Sequence, residues 1–258
     1  MGPILKVLTY NIHHAEGMKR DAPEFAGNAD LEQIARIIRA SGADIVALQE
    51  VDRGNPRSGG ADQPAELSRI LDMYACFGCN ISISGGGEYG VATFSRFPIR
   101  SHENLPLPGG NGLEPRGVLK SIVEIPEVGD VTVLNTHFQF ATGDNEAIAR
   151  TERHRQALVV LRMIEECPGP IILMGDFNAE PDDPELHPLL GLTDAWRIAG
   201  DGSAGRTIPG HPMLESEARI DMIFVNERFQ VHAATVLATG EARYGSDHLP
   251  VLAELSIQ

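Results

Sequence analysis

The sequence is short of positive charge. Its 258 residues hold 21 Lys and Arg against 36 Asp and Glu, a formal net charge of -15. That sign works against a partner held mainly by counterion release from a phosphate backbone, so a general nucleic-acid binder is disfavoured. The densest group of cations, Arg150, Arg153, Arg155 and Arg162, is interleaved with Glu152, Glu165 and Glu166 and reads as a solvated helix face. Cysteine is equally sparse. Cys76, Cys79 and Cys167 make no disulfide framework, and Cys76-x-x-Cys79 has neither a second pair for zinc nor a helix start to lower a thiol pKa. Trp196 is the single tryptophan and aromatics are 5% of the chain, so no stripe of aromatics alternates with cations as a single-strand groove requires. No linker, charge block or repeat divides the sequence, and it is read as one domain over residues 1–258. Neither a secretory signal, a transmembrane span nor a myristoylation motif is found, which makes a reducing cytoplasm the expected setting.

What the sequence does have is a series of short apolar runs, each ending at polar side chains. Residues 171–181, Ile-Ile-Leu-Met-Gly-Asp-Phe-Asn-Ala-Glu-Pro, begin as a strand buried on both faces. Gly175 is expected to relax the strand's end, and the two-residue period to aim Asp176 and Asn178 to the same side. Residues 4–10 form a strand ending at Asn11, followed by His13 and His14. Asp30 reads as an N-cap for a helix with Leu31, Ile34, Ala35 and Ile38 on its inner face and Gly42 at its end. The next strand, 44–48, delivers Gln49 and Glu50. A helix over 62–71, a hairpin of 74–83 and 90–95 about Gly85-Gly86-Gly87, and a loop over 105–112 follow. A strand pair, 118–125 and 131–137, ends at His137, and 147–166 is the longest helix, with Ala157, Val160, Leu161 and Ile164 buried. Residues 182–214 read as loop, with Pro184, Pro188, Pro209 and Pro212, before strands over 219–225, 231–237 and 250–257. This order predicts a layered α/β domain with two sheets packed face to face and helices outside.

The polar residues at strand ends are Asn11, Glu50, His137, Asp176, Asn178, Asp221, Asp247 and His248. Oxygen and nitrogen donors without sulfur favour a hard divalent cation, Mg²⁺ or Mn²⁺, over zinc. Four carboxylates in one pocket would resist ionisation unless a cation or an imidazolium stood among them.

The segments Thr9-Tyr10-Asn11-Ile12, Leu48-Gln49-Glu50, Asn135-Thr136-His137, Gly175-Asp176-Phe177-Asn178, Arg219-Ile220-Asp221 and Ser246-Asp247-His248-Leu249-Pro250-Val251 occur in that order. The set resembles the endonuclease/exonuclease/phosphatase superfamily. The resemblance implies the DNase I-like four-layer sandwich, with mostly antiparallel pairing in its two sheets, and Mg²⁺-dependent (or Mn²⁺-dependent) phosphoester hydrolysis. It implies Glu50 as principal metal ligand with Asn11 and Asp247 sharing the site, and Asp176 as the group that orients or deprotonates water, with Asn178 beside it. It further implies His248 as an imidazolium donor held by Asp221, His137 as a second imidazolium donor to the phosphate, and Arg116 facing the phosphate, unless Arg116 is a surface residue paired with Glu114. His13 and His14 stay open between pocket lining and ordinary loop.

Three functions are compatible with this set. The first is a phosphodiesterase or phosphatase acting on a small or lipid-derived phosphoester, favoured by the acidic balance. The second is a metal-dependent nuclease on DNA or RNA. The abasic-site enzymes of the family carry Tyr where this chain has His137, a departure that counts against that activity. The third is a non-catalytic binding module, expected to have lost Glu50, Asp176 or His248, all of which are present. Substrate, oligomeric state and the number of ions are not fixed by the sequence.

Overall fold

A computed structural model describes residues 3–17, 29–110, 112–208 and 217–258. The described residues form two six-stranded sheets. The first has the order β11-β12-β1-β2-β4-β3, from Phe229–Val236 (β11), Val251–Ile257 (β12), Leu5–Asn11 (β1), Ile45–Arg53 (β2), Glu88–Ser95 (β4) and Tyr74–Ser82 (β3). The second has the order β5-β6-β7-β8-β10-β9, from Ile99–Pro106 (β5), Gly117–Ile125 (β6), Gly129–His137 (β7), Ile171–Asp176 (β8), Asp221–Val225 (β10) and Thr193–Asp194 (β9). Each sheet is antiparallel except at its middle, where β1 runs parallel to β2 and β7 parallel to β8. A helix joins each parallel pair, as a parallel connection requires: Leu31–Ser41 (α1) in the first and Glu146–Glu166 (α3) in the second.

Strand alternation explains the layers. In β1, Leu5 and Val7 point into the core between the sheets, while Leu8 and Tyr10 point out onto α1 and Gln63–Leu71 (α2). In β8, Ile172 and Met174 face the other sheet, and Ile171 and Leu173 meet Ala157 and Val160 of α3. The result is a helix–sheet–sheet–helix sandwich. α1 starts where the Asp30 carboxylate accepts the Gln33 N–H and stops at Gly42, whose φ of 67° is the left-handed conformation a C-cap favours. Among the described residues, no helix is long and apolar enough to cross a membrane.

Several sequence expectations are corrected. Residues 99–106 form β5, paired along its length with β6, so the loop read over 105–112 begins only at Leu107. The 182–208 stretch holds β9 and a short helix, Ala195–Ala199 (α4), that seats Trp196; Pro209, Pro212 and Leu214 lie outside the described residues. Arg153 is not on a solvated face. It is buried, and its guanidinium bonds Glu185 at 2.9 Å, Glu146 at 2.7 Å and the Gln139 carbonyl at 3.0 Å. On α3, Leu161 is only half-buried, unlike Ala157, Val160 and Ile164.

A polar clasp joins the sheets near one end. Gln49 Nε2 donates to Asn135 Oδ1 at 2.8 Å, and Asn135 Nδ2 donates to the Leu48 and Ala92 carbonyls at 3.1 and 2.9 Å. Both side chains are fully buried, so each unmade bond there would leave a desolvated polar group. Two residues of the sequence motifs therefore hold the sheets together rather than face the cleft.

Candidate active site

The register brings the polar strand ends to one rim. Asn11 ends β1, Glu50 lies at a bulge in β2, His137 ends β7 and Asp176 ends β8. Asp221 starts β10 directly opposite Asp176, and residues 245–248 form the turn into β12. Of these, Glu50, His137, Asp176, Asp247 and His248 line a cleft of about 550 Å³ with His13, His14, Arg57, Tyr89, Glu114, Arg116, Phe140 and Asn178, while Asn11 and Asp221 bond Asp176 and His248 from behind that lining.

Backbone strain gathers here. His13, His14, Ala15, Glu50 and Asn178 have φ values of 44°, 56°, 63°, 57° and 48°, unusual for non-glycine residues and tolerated only where the surroundings over-determine them. The bulge in β2 between Leu48 and Val51 turns Glu50 out of the sheet and into the cleft. Asn178 is likewise not carried by strand period. The strand stops at Asp176, whose Oδ1 accepts the Asn178 N–H at 2.9 Å, and Asn178 Nδ2 donates to the Phe138 carbonyl at 3.1 Å. Between them Phe177 is fully buried, edge-on to Phe138 and Phe224 at 5.0 and 5.3 Å, which pins the turn. Gly175 does not relax the strand; a Cβ there would collide with the Thr136 carbonyl, so glycine permits the close approach of β8 to β7.

Asp176 Oδ2 is the hub. Asn11 Nδ2 donates to it at 3.0 Å, and His137 Nε2 and His248 Nε2 stand 3.4 and 3.7 Å away. Burial and the Asp221 charge push its carboxyl up to about 7, against the opposing pull of His248, Asn11 and the Asn178 N–H. His248 bonds Asp221 through Nδ1 at 2.8 Å. Burial alone would depress its pKa, but Asp221, Asp176 and Asp247 raise it well above the usual value, so it stands as an imidazolium at neutral pH. Asp247 is held low: burial opposes ionisation, and His248, His13 and the Ser246 hydroxyl outweigh it.

His137 differs from the expected second imidazolium. It is 3% exposed and faces Arg116, so burial first, then the Arg116 and His248 charges, drive its pKa well below the usual value. Arg116 Nη1 lies 3.0 Å from His137 Nδ1. A guanidinium only donates, so Nδ1 accepts and the single proton of the neutral ring sits on Nε2. Arg116 is not a surface residue either. It is buried at 6% exposure, bonds Glu114 at 2.7 Å as well, and its Nε has no partner among the described residues.

The donor set suits a divalent cation. Glu50, 20% exposed at its side chain, meets His14 Nε2 at 3.5 Å and accepts from Asn11 Nδ2 at 3.0 Å. Among the described residues His13 Nδ1 is buried without a hydrogen-bond partner, 3.9 Å from Asp247. His13, His14 and Glu50 each place a ligand atom within 4.8 Å of the others, and so do Asp176, Asp221 and His248, of which Asp221 and His248 already bond each other. An unpaired nitrogen between two carboxylate-bearing segments is what a bound cation would satisfy. Arg57, Tyr89, Phe140 and Asp52 were not legible as site residues, since no strand-end pattern carries them; turn-rich Gly54-Asn55-Pro56-Arg57 is the sole local signal.

The model of the Endonuclease/Exonuclease/phosphatase family matches residues 8–248. An endonuclease/exonuclease/phosphatase from Beutenbergia cavernae DSM 12333 is 31% identical, with a TM-score of 0.80, over 98% of this chain and 72% of that one. A mannosyl-6-phosphatase of Bacteroides thetaiotaomicron VPI-5482 is 22% identical with a TM-score of 0.75, covering 98% of this chain and all (100%) of its own. The human Nocturnin catalytic domain with bound sulfate is 23% identical with a TM-score of 0.72, over 100% of this chain and 96% of that one. The chain belongs to the endonuclease/exonuclease/phosphatase family, whose members are in general divalent-metal-dependent phosphoester hydrolases and nucleases with the DNase I-like sandwich.

Proposed function

We propose that this family member is a Mg²⁺- or Mn²⁺-dependent phosphoester hydrolase acting on a small or lipid-derived phosphoester, with Asp176 as the group that takes a proton from water. The observation that carries it is the surround of Asp176: a fully buried carboxylate whose Oδ2 accepts from Asn11 and faces His137 and His248 at 3.4 and 3.7 Å, with burial and the Asp221 charge raising its proton affinity. Asn178, beside it in a fixed turn, positions the water. His248, kept cationic by Asp221, donates to a non-bridging phosphate oxygen. His137 donates there through Nε2–H as a neutral ring, and Arg116 supplies the second full charge. Glu50, Asn11 and Asp247 would hold the cation, and Asn11 also fixes the Glu50 and Asp176 carboxylates. A bound divalent ion would supply Lewis-acid stabilisation of charge developing on the phosphate and the leaving oxygen.

The choice of a small or lipid-derived substrate rests on the walls. Ile81, Ile83, Tyr89, Phe140, Ile208 and Ile220 line the cleft, and exposed Phe140 offers an apolar edge. The cations on α3 that a polynucleotide would need are already paired, Arg150 with Glu146 and Glu185, and Arg155 with Glu152. The same fold carries a mannosyl-6-phosphatase, so it accommodates a small phosphomonoester.

The test is hydrolysis of a phosphomonoester, a phosphodiester, sphingomyelin and single-stranded DNA with Mg²⁺ or Mn²⁺, with and without chelator, beside Asp176→Asn. Chelator-sensitive release from a small or lipid ester, lost in the variant, is expected. Preferred cleavage of DNA with a steep salt dependence would move the assignment to a nuclease, and inactivity on all would favour a binding module.

A further inference from the structure

We infer that His14 is a positioning residue for the metal site, holding the Glu50 carboxylate through a relay that starts at a buried acid. The inference rests on Glu50 as a ligand of the divalent cation. Beside the cleft, Asp52 near the end of β2 is fully buried. Its two oxygens accept from Arg57, Nε to Oδ2 at 2.8 Å and Nη2 to Oδ1 at 2.8 Å, and Oδ1 also accepts from Asn55 Nδ2 at 3.0 Å. The same Arg57 Nη2 stands 3.0 Å from His14 Nδ1.

Nη2 carries two hydrogens, one for Asp52 and one for His14, and no lone pair. His14 Nδ1 therefore accepts, and the proton of the ring is on Nε2. That atom is 3.5 Å from Glu50 Oε2. Although His14 is close enough to be counted a ligand, the tautomer makes it a donor instead. A donor nitrogen then stands beside each Glu50 oxygen, Asn11 Nδ2 bonded to Oε1 at 3.0 Å and His14 Nε2 at 3.5 Å from Oε2.

The rest of the relay keeps the ring in place. The His14 carbonyl accepts from Gln63 Nε2 at 2.7 Å, and Gln63 Oε1 accepts the Asp52 N–H at 2.9 Å, tying the left-handed His13–Ala15 turn to β2. Tyr89 packs 5.5 Å from the His14 ring with the Arg57 guanidinium 5.0 Å over its own face. Such outer partners typically account for roughly 10- to 100-fold in metal affinity.

The experiment is Mn²⁺ titration of the whole chain, with free Mn²⁺ read by electron paramagnetic resonance and the unfolding temperature measured beside it. His14→Ala is expected to weaken binding by roughly 10- to 100-fold. His14→Gln keeps an acceptor for Arg57 and a donor for Glu50 and is expected to restore most of it, whereas the shorter His14→Asn is not. Equal affinity in wild type and His14→Ala overturns the relay and leaves the metal site standing. No Mn²⁺ uptake by the wild type overturns both. Should His14→Ala not fold, equal binding by the Gln and Asn variants overturns the relay.

Discussion

The two central parallel pairs, β1 with β2 and β7 with β8, use one device to different ends. Each pair is crossed by a helix on its outer face and presents polar groups at its C-terminal rim, Asn11 and Glu50 in the first, His137 and Asp176 in the second. The Glu50 side chain is 20% exposed, whereas that of Asp176 is 1% exposed. The second pair is roofed by β10 and the 245–248 turn, which bring Asp221 and His248 against Asp176; the first opens to the cleft. The supersecondary unit thus sets where a carboxylate stands, and what packs beyond the strand end sets how far it is shut off from solvent. One rim is suited to hold a cation in contact with solvent and the other to move a proton out of it.

Four outcomes would break or sharpen that contrast. Asp176→Asn should lower kcat on the order of 10³-fold while Mn²⁺ binding persists. Its stability should change as well. The carboxyl moves from about 3.8 unfolded to about 7 folded, so its contribution to stability is full below the lower value and lost as pH rises through the upper. In chelator at pH 8 the Asn variant should therefore melt higher than wild type, by on the order of 5 °C, and the gain should vanish toward pH 4. A melting gain at both pH values would sink the idea that burial strains this carboxyl. Glu50→Gln should act through the cation instead: activity at fixed Mn²⁺ falls on the order of 10²-fold and returns in part as Mn²⁺ is raised. Loss that no amount of metal repairs would make the two rims alike.

Asp221→Asn should move the alkaline limb of the kcat/KM profile. Activity that needs His248 charged is lost as pH rises through its raised pKa, and removing the Asp221 charge lowers that pKa, so the limb should shift downward by about one pH unit or more. An unmoved limb would take His248 out of the profile. The smallest effect is expected at the clasp. Asn135→Ala leaves the Gln49 amide and two carbonyls without their partner, which costs about 1–3 kcal/mol, roughly 2–4 °C in Tm for each kcal/mol. Combined with Gln49→Ala the losses should fall short of additive in thermal melts, since both remove one contact.

Much of this frame was legible because local chemistry and tertiary position agree. Asp30 caps a helix by its own side chain, and an apolar run that stops at Asp176 can only stop at the rim of a core. What was not legible depends on partners distant in sequence. Residues 99–106, Ile-Arg-Ser-His-Glu-Asn-Leu-Pro, have no apolar alternation and become a strand because β6 offers its edge. His137 looks like any candidate imidazolium until Arg116, 21 residues away, settles its tautomer. Arg57 and Asp52 carry no motif, yet they stand behind His14, 43 positions from Arg57 along the chain.

The amide bridge between Gln49 and Asn135 acquires a meaning from where it sits. Gln49 immediately precedes Glu50, and Asn135 lies just before His137, so the bridge spans the gap between the halves of the cleft. Aliphatic surfaces in contact specify no direction of sliding, and two sheets meeting only through valines and isoleucines would have a shear plane under the site. A directional bond across that plane works as a gauge block. It fixes the aperture between the two rims, and with it the length of any ligand that could reach both at once.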